Sequence, residues 1–246
     1  MSVEFRPHDV DWTPEKIGRL WDYYGSNPAF RSQYFSLHSG GAIVERLECD
    51  PGLRGRRVLD FGAGRGDLLA HLHARGIAAS GLEFSEASAA VCEGRFAGEP
   101  LHGGVIATES LPSTYADESS DVVLLIEVLE HLLEEQLAPT LGEVRRLLVP
   151  GGHVVVTVPN KEDLAAGGAF CPDCGAAFHR WQHQRSLDAA SLSALMESAG
   201  FETETVEGIF WGAGRRARAL ARLRSPQTGL PKPHLLYIGV RPADVR

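Results

Sequence analysis

A chain of 246 residues with 43% hydrophobic and 23% charged content is long enough for one large domain with a substantial core, of ordinary soluble composition. Its formal charge of −8, from 24 basic and 32 acidic residues, argues against coating a long nucleic acid with positive charge. No apolar run is long enough to span a bilayer, and the N-terminal MSVEFRPHDVDW lacks the basic-then-apolar order of a secretory signal, so the expected location is the cytoplasm.

Residues 1–55 read as a helical, aromatic cap: Thr13-Pro14 starts a helix, and Trp12, Ile17, Leu20, Trp21 and Tyr24 follow at helix-like spacing. From Arg57 the pattern changes to short apolar runs alternating with amphipathic ones. RVLDF precedes 67–75, AASGLEF precedes 85–96, VVLLIE precedes 130–148 and HVVVTVP precedes 186–199; FETETVEGIF and HLLYIGV close the series. Strands alternating with helices imply right-handed crossovers and a mostly parallel sheet covered on both faces, an α/β domain over 56–246. Two insertions interrupt it, 160–185 and 211–233, and loops of that length are more often functional than neutral. Within the second, Arg215, Arg218 and Arg222 fall on one helix face, either a solvated helix or an anion grip.

VLDFGAGRGDLL places Gly62, Gly64 and Gly66 between an apolar strand and a helix, where backbone must approach a ligand closely. Asp60 precedes them, and Glu83 ends the next strand about twenty residues on, where a carboxylate can accept from a ribose diol. A nicotinamide enzyme would satisfy that much. VLDFGAGRGD, GLEFSEAS, SLPSTYADESSDVVLLIEVLEHL and LLVPGGHVVVTVPN together resemble, in order and spacing, the motifs of class I S-adenosylmethionine-dependent methyltransferases. The resemblance implies a Rossmann-like sheet of seven strands with the last, about 234–240, inserted antiparallel. It also implies S-adenosyl-L-methionine across the strand ends. Asp60 and the amides around Gly62 and Gly64 then hold its methionine portion, Glu83 the ribose, and Phe84 packs near the adenine unless it is a core aromatic. Many relatives have an Asp a few residues before the LP; here IATESLP offers Glu109 or Ser110 instead.

Glu127, Glu130 and His131 in EVLEHL share one helix face if that segment is helical, a donor set suited to a divalent cation. Similar stretches occur in ubiquinone-pathway O-methyltransferases and small-RNA 2'-O-methyltransferases, where the resemblance implies a metal that positions a hydroxyl. The alternative is a metal-free acceptor pocket. The four cysteines do not form a disulfide framework for so large a chain. CPDCGAAFHRWQH gives Cys171 and Cys174 the form of a zinc knuckle, and His179 and His183 would complete a four-coordinate Zn2+ site if HRWQH is helical. A redox dithiol and unliganded loop cysteines are the competing readings. Following strand five, this segment emerges on the cofactor edge, so a metal there lies beside the acceptor.

Methyl transfer to an activated sulfonium asks the protein mainly to align the acceptor and exclude water. A base is needed only for a hydroxyl or a protonated amine, and His131, then His179 and His183, are the candidates. The expected function is methylation of an oxygen or nitrogen on a small-molecule acceptor, a metabolite or sugar. The enzyme alternative is a metal-dependent RNA 2'-O-methyltransferase, disfavoured by net acidity and by the lack of a basic, aromatic RNA platform. An alternative of another class is a zinc-containing binding protein with the same fold. Acceptor and oligomeric state are not encoded legibly.

Overall fold

The computed structural model describes residues 5–211 and 232–243. In chain order the elements are β1 (His8–Asp9), α1 (Pro14–Ser26), α2 (Phe35–Cys49), β2 (Val58–Phe61), α3 (Asp67–His73), β3 (Ala79–Glu83), α4 (Glu86–Arg95), β4 (His102–Ala107) and β5 (Ser120–Ile126). There follow α5 (Glu134–Leu147), β6 (Leu148–Pro159), β7 (Gly168–Phe170), β8 (Ala176–His179), α6 (Ala189–Ser198), β9 (Glu202–Ile209) and β10 (His234–Val240). The main sheet has the order β4-β3-β2-β5-β6-β10-β9, with β10 antiparallel to both neighbours.

Consecutive residues of one strand serve opposite layers. Val122 and Leu124 of β5 pack with Ile43, Val44 and Leu47 of α2 and with Leu68, Leu69 and Leu72 of α3. Val123 and Leu125 pack with Leu141, Val144 and Leu147 of α5 and with Leu192 and Met196 of α6. Two buried faces are why the strands read as unbroken apolar runs. Strand β4 is missing from those runs because two of its six residues are glycine and it is only partly buried. It forms the sheet edge beyond β3.

The expected helix at Thr13-Pro14 is present: the Thr13 hydroxyl accepts from the Lys16 amide, and Pro14 occupies the first turn, where a missing N–H costs nothing. The helix expected over 130–148 begins only at Glu134, because Glu127 takes a left-handed φ of 55° and Leu129–His131 winds as a short 3-10 turn. Insertion 160–185 carries an antiparallel hairpin, β7 with β8, and the N-terminal β1 adds to it in parallel, making a separate three-stranded sheet. Insertion 211–233 and its expected basic helix lie, apart from residues 211, 232 and 233, outside the described residues. Among the described residues no helix is long and apolar enough to cross a membrane.

Candidate active site

The carboxyl ends of β2, β3, β5 and β6 form one edge of the sheet, where ligands bind in open α/β folds. At the end of β2, Gly62, Gly64 and Gly66 all have positive φ (86°, 53° and 78°). A Cβ at Gly62 would press on Val128 Cγ2 at 2.9 Å, and one at Gly66 on Cys92 Sγ at 2.5 Å, so both glycines are required by packing. Gly64 is different: among the described residues nothing lies within 4 Å of a Cβ built there.

Glu83 ties this turn to the next strand. Its Oε2 accepts from the Gly64 amide at 2.6 Å, and its Oε1 accepts from the amides of Phe84 at 2.9 Å and Ser85 at 2.8 Å. Burial raises its pKa while these three amides work in the opposite direction. Phe84 is 38% exposed, so it is not a core aromatic; its ring stands 6.0 Å from that of Phe61 at the rim. Glu109 and Ser110 are exposed just beyond β4, linked to this rim by the Thr108 amide, which donates to the Glu83 carbonyl.

Asp60 is 2% exposed, and among the described residues its Oδ2 has no hydrogen-bond partner. Burial, then the charges of Glu83 and Asp67, push its pKa up to about 8. A carboxyl whose folded pKa is raised keeps its proton in the folded chain while the unfolded chain loses it. Stability is therefore fully present below about pH 4 and falls as pH rises toward 8. Chemical denaturation of the ligand-free protein should show this decline, at most about 1.4 kcal/mol per pH unit from this group, and Asp60→Asn should remove that share.

The second half of the site comes from the turn after β5. Glu130 is 1% exposed, and among the described residues neither of its carboxylate oxygens has a hydrogen-bond partner. Burial first, and Glu127 second, raise its pKa well above the carboxylate range. The insertion docks against this turn. Gln182, fully buried at a left-handed φ of 61°, donates from Nε2 to the His131 carbonyl at 2.7 Å and accepts from Trp21 Nε1 at 3.2 Å. The Gln184 amide donates to the Glu130 carbonyl at 2.7 Å, and Arg185 donates to the carbonyls of Leu129 and Leu132 at 2.7 and 2.5 Å. These bonds bring His183 to Glu130 and His131, and the His131 and His183 rings lie 4.7 Å apart.

Among the described residues, two sets of three donors have ligand atoms within 4.8 Å of one another: Glu130, His131 and His183, and Glu162, His179 and His183. The expected Cys2His2 set is not among them. Cys171 and Cys174 occupy the hairpin turn, with the Gly175 amide donating to the Cys171 carbonyl, whereas His179 pairs with Gly168 at the other end. Three residues of extended strand from Ala176 to His179 amount to about 10 Å. His179 and His183 do meet, stacked at 4.3 Å, but across the end of a strand and a turn, not on a helix face. The expected Glu127, Glu130 and His131 set is likewise not formed. The left-handed Glu127 points its Oε2 to His234 Nδ1 at 3.3 Å, and His183 takes its place. Glu162, Gln182, Arg185 and His234 were not singled out by the sequence, since only distant packing gives them a role.

Strand order, glycine turn and strand-ending acid define the class I S-adenosylmethionine-dependent methyltransferase fold. The chain belongs to the methyltransferase-domain family, whose profile matches residues 30–206. It is 37% identical over 163 residues to a probable S-adenosylmethionine-dependent methyltransferase of Mycolicibacterium smegmatis, covering 65% of this chain and 57% of that one. The chain thus spans under two thirds of that relative's length. It is 31% identical over 209 residues to the ubiquinone biosynthesis O-methyltransferase of Pseudomonas aeruginosa, covering 78% and 81%. A Burkholderia thailandensis 1,6-didemethyltoxoflavin-N1-methyltransferase, solved with its substrate and S-adenosylhomocysteine, shares the fold, with a TM-score of 0.62, 18% identity, and coverage of 96% and 94%.

Proposed function

We propose that the chain is an S-adenosylmethionine-dependent methyltransferase acting on a hydroxyl of a small-molecule acceptor, with a divalent cation held by Glu130, His131 and His183. The observation that carries the cation is Glu130, whose two oxygens have no hydrogen-bond partner among the described residues and one of which lies within 4.8 Å of nitrogens of both His131 and His183. A buried carboxylate without a partner is costly, and a divalent cation would remove that cost without the proton the group otherwise has to keep. The relatives that methylate a ubiquinone precursor oxygen or a toxoflavin nitrogen support a small-molecule acceptor.

The residues of the glycine turn fit the cofactor. Asp60, buried without a partner for Oδ2, is suited to its cationic methionine portion. Gly64 leaves the approach open, and Glu83 keeps acceptor capacity for the ribose hydroxyls. When bound, S-adenosylmethionine supplies an activated methyl group, and the cation supplies positive charge that favours the deprotonated hydroxyl. Burial, with the neighbouring His183 and His179, lowers the His131 pKa to about 3, so His131 stays neutral and serves as a ligand in preference to a base. The Trp21 ring, 5.0 Å from that of His131, supports a role for α1 as a cap that keeps water from this side. The cysteine turn offers only two thiolates, and a zinc ion there would need ligands from elsewhere.

Incubation with radiolabelled S-adenosylmethionine, a panel of hydroxylated metabolites and bulk RNA tests this reading. Label should enter a small molecule, disappear with a chelator and return with Mn2+ or Zn2+. Chelator-insensitive transfer would remove the cation, and label confined to RNA would favour the RNA reading.

A further inference from the structure

We propose that Glu162 and His179 are positioning residues that hold His183 as a single tautomer, protonated on Nδ1, so that its Nε2 lone pair is free for the cation; this rests on the cation reading above. The chain of bonds starts at the backbone. The His183 amide donates to His179 Nδ1 at 3.1 Å, so the lone pair of neutral His179 is on Nδ1 and its proton is on Nε2. That Nε2 lies 3.5 Å from Glu162 Oε1. The other oxygen, Glu162 Oε2, is 2.5 Å from His183 Nδ1. With Glu162 as the acceptor in that contact, Nδ1 of His183 is the donor, which selects the tautomer whose lone pair is on Nε2.

The same bonds decide against Glu162, His179 and His183 as direct ligands of one ion. With Nδ1 engaged by the backbone, His179 has no free lone pair unless its ring turns. It is held from turning: the ring stacks on His183 at 26° and lies against Gly167, where an added Cβ would come 1.7 Å from Nε2. The glycine at 167 is explained by this contact. An outer carboxylate that fixes a ligand histidine is a common support of metal sites, and losing it costs about 10–100-fold in metal affinity.

Nitrogen-15 NMR of the metal-free protein at mildly alkaline pH reads the tautomer directly. His183 should show a pyrrole-like Nδ1 and a pyridine-like Nε2. Glu162→Ala and Gly167→Ala should each give a mixture of tautomers and weaken Mn2+ binding in calorimetry, by about 10–100-fold for Glu162→Ala. Glu162→Gln, whose one amide oxygen can still accept from His183 Nδ1 while its NH2 turns toward His179, should restore the wild-type tautomer in part. A wild-type His183 protonated on Nε2, or divided between both forms, overturns the assignment even if no variant folds. So does a Glu162→Ala protein with unchanged tautomer and affinity. Failure of the cation reading looks different: the stated tautomer in a protein that binds no Mn2+.

Discussion

Glu83→Ala is expected to weaken binding of S-adenosylhomocysteine about 100-fold, measured by calorimetry. Three amides converge on this carboxylate, from Gly64, Phe84 and Ser85, and one of them belongs to the glycine turn itself. Hydrogen bonds to a charged group contribute about 1.5–3 kcal/mol each, so losing the proposed ribose contact together with the Gly64 anchor would account for two orders of magnitude. Glu83→Gln keeps acceptor oxygen toward one side only, and should lose about tenfold. Affinity within a few-fold of wild type in the alanine variant would remove Glu83 from the cofactor site.

Glu130→Gln should stabilise the metal-free protein and abolish cation-dependent transfer. Its carboxyl, buried beside Glu127 and Glu162, has a folded pKa well above the ordinary value. The folded chain therefore retains a proton that the unfolded chain releases, and the stability this gives below about pH 4 is lost as pH rises. The glutamine has no such dependence. We expect it to be more stable by about 2 kcal/mol at pH 8 and equal to wild type near pH 4, by urea denaturation. Saturating Mn2+ should invert the order, because only the wild type gains binding free energy. A variant that is less stable than wild type at pH 8 without metal would contradict the unpaired, costly Glu130.

The grouping of the proposed cofactor residues was legible because it is local. Gly62, Gly64 and Gly66 lie in one turn, Asp60 is two residues before it, and Glu83 ends the next strand, so chain order alone brings them to one edge. The proposed cation half was legible only in its residue types. Glu130, His131, His179 and His183 were singled out, but in sets that assumed helices over EVLEH and HRWQH. A left-handed residue at Glu127 and another at Gln182 break both helices, and no local signal marks either position, since glutamate and glutamine are ordinary helix formers.

The sequence by itself determined six of the seven strands of the main sheet, its two covered faces and the glycine turn, because strand burial and positive-φ glycines act over a few residues. Tertiary structure alone decided which histidine joins Glu130. The deciding bonds run from Gln182, Gln184 and Arg185 to carbonyls some fifty positions away, and from the His183 amide to a ring fixed by Gly167. Contacts of that separation depend on how an inserted hairpin packs, and the Cys171 and Cys174 turn that first suggested a zinc site ends up at the hairpin's opposite end.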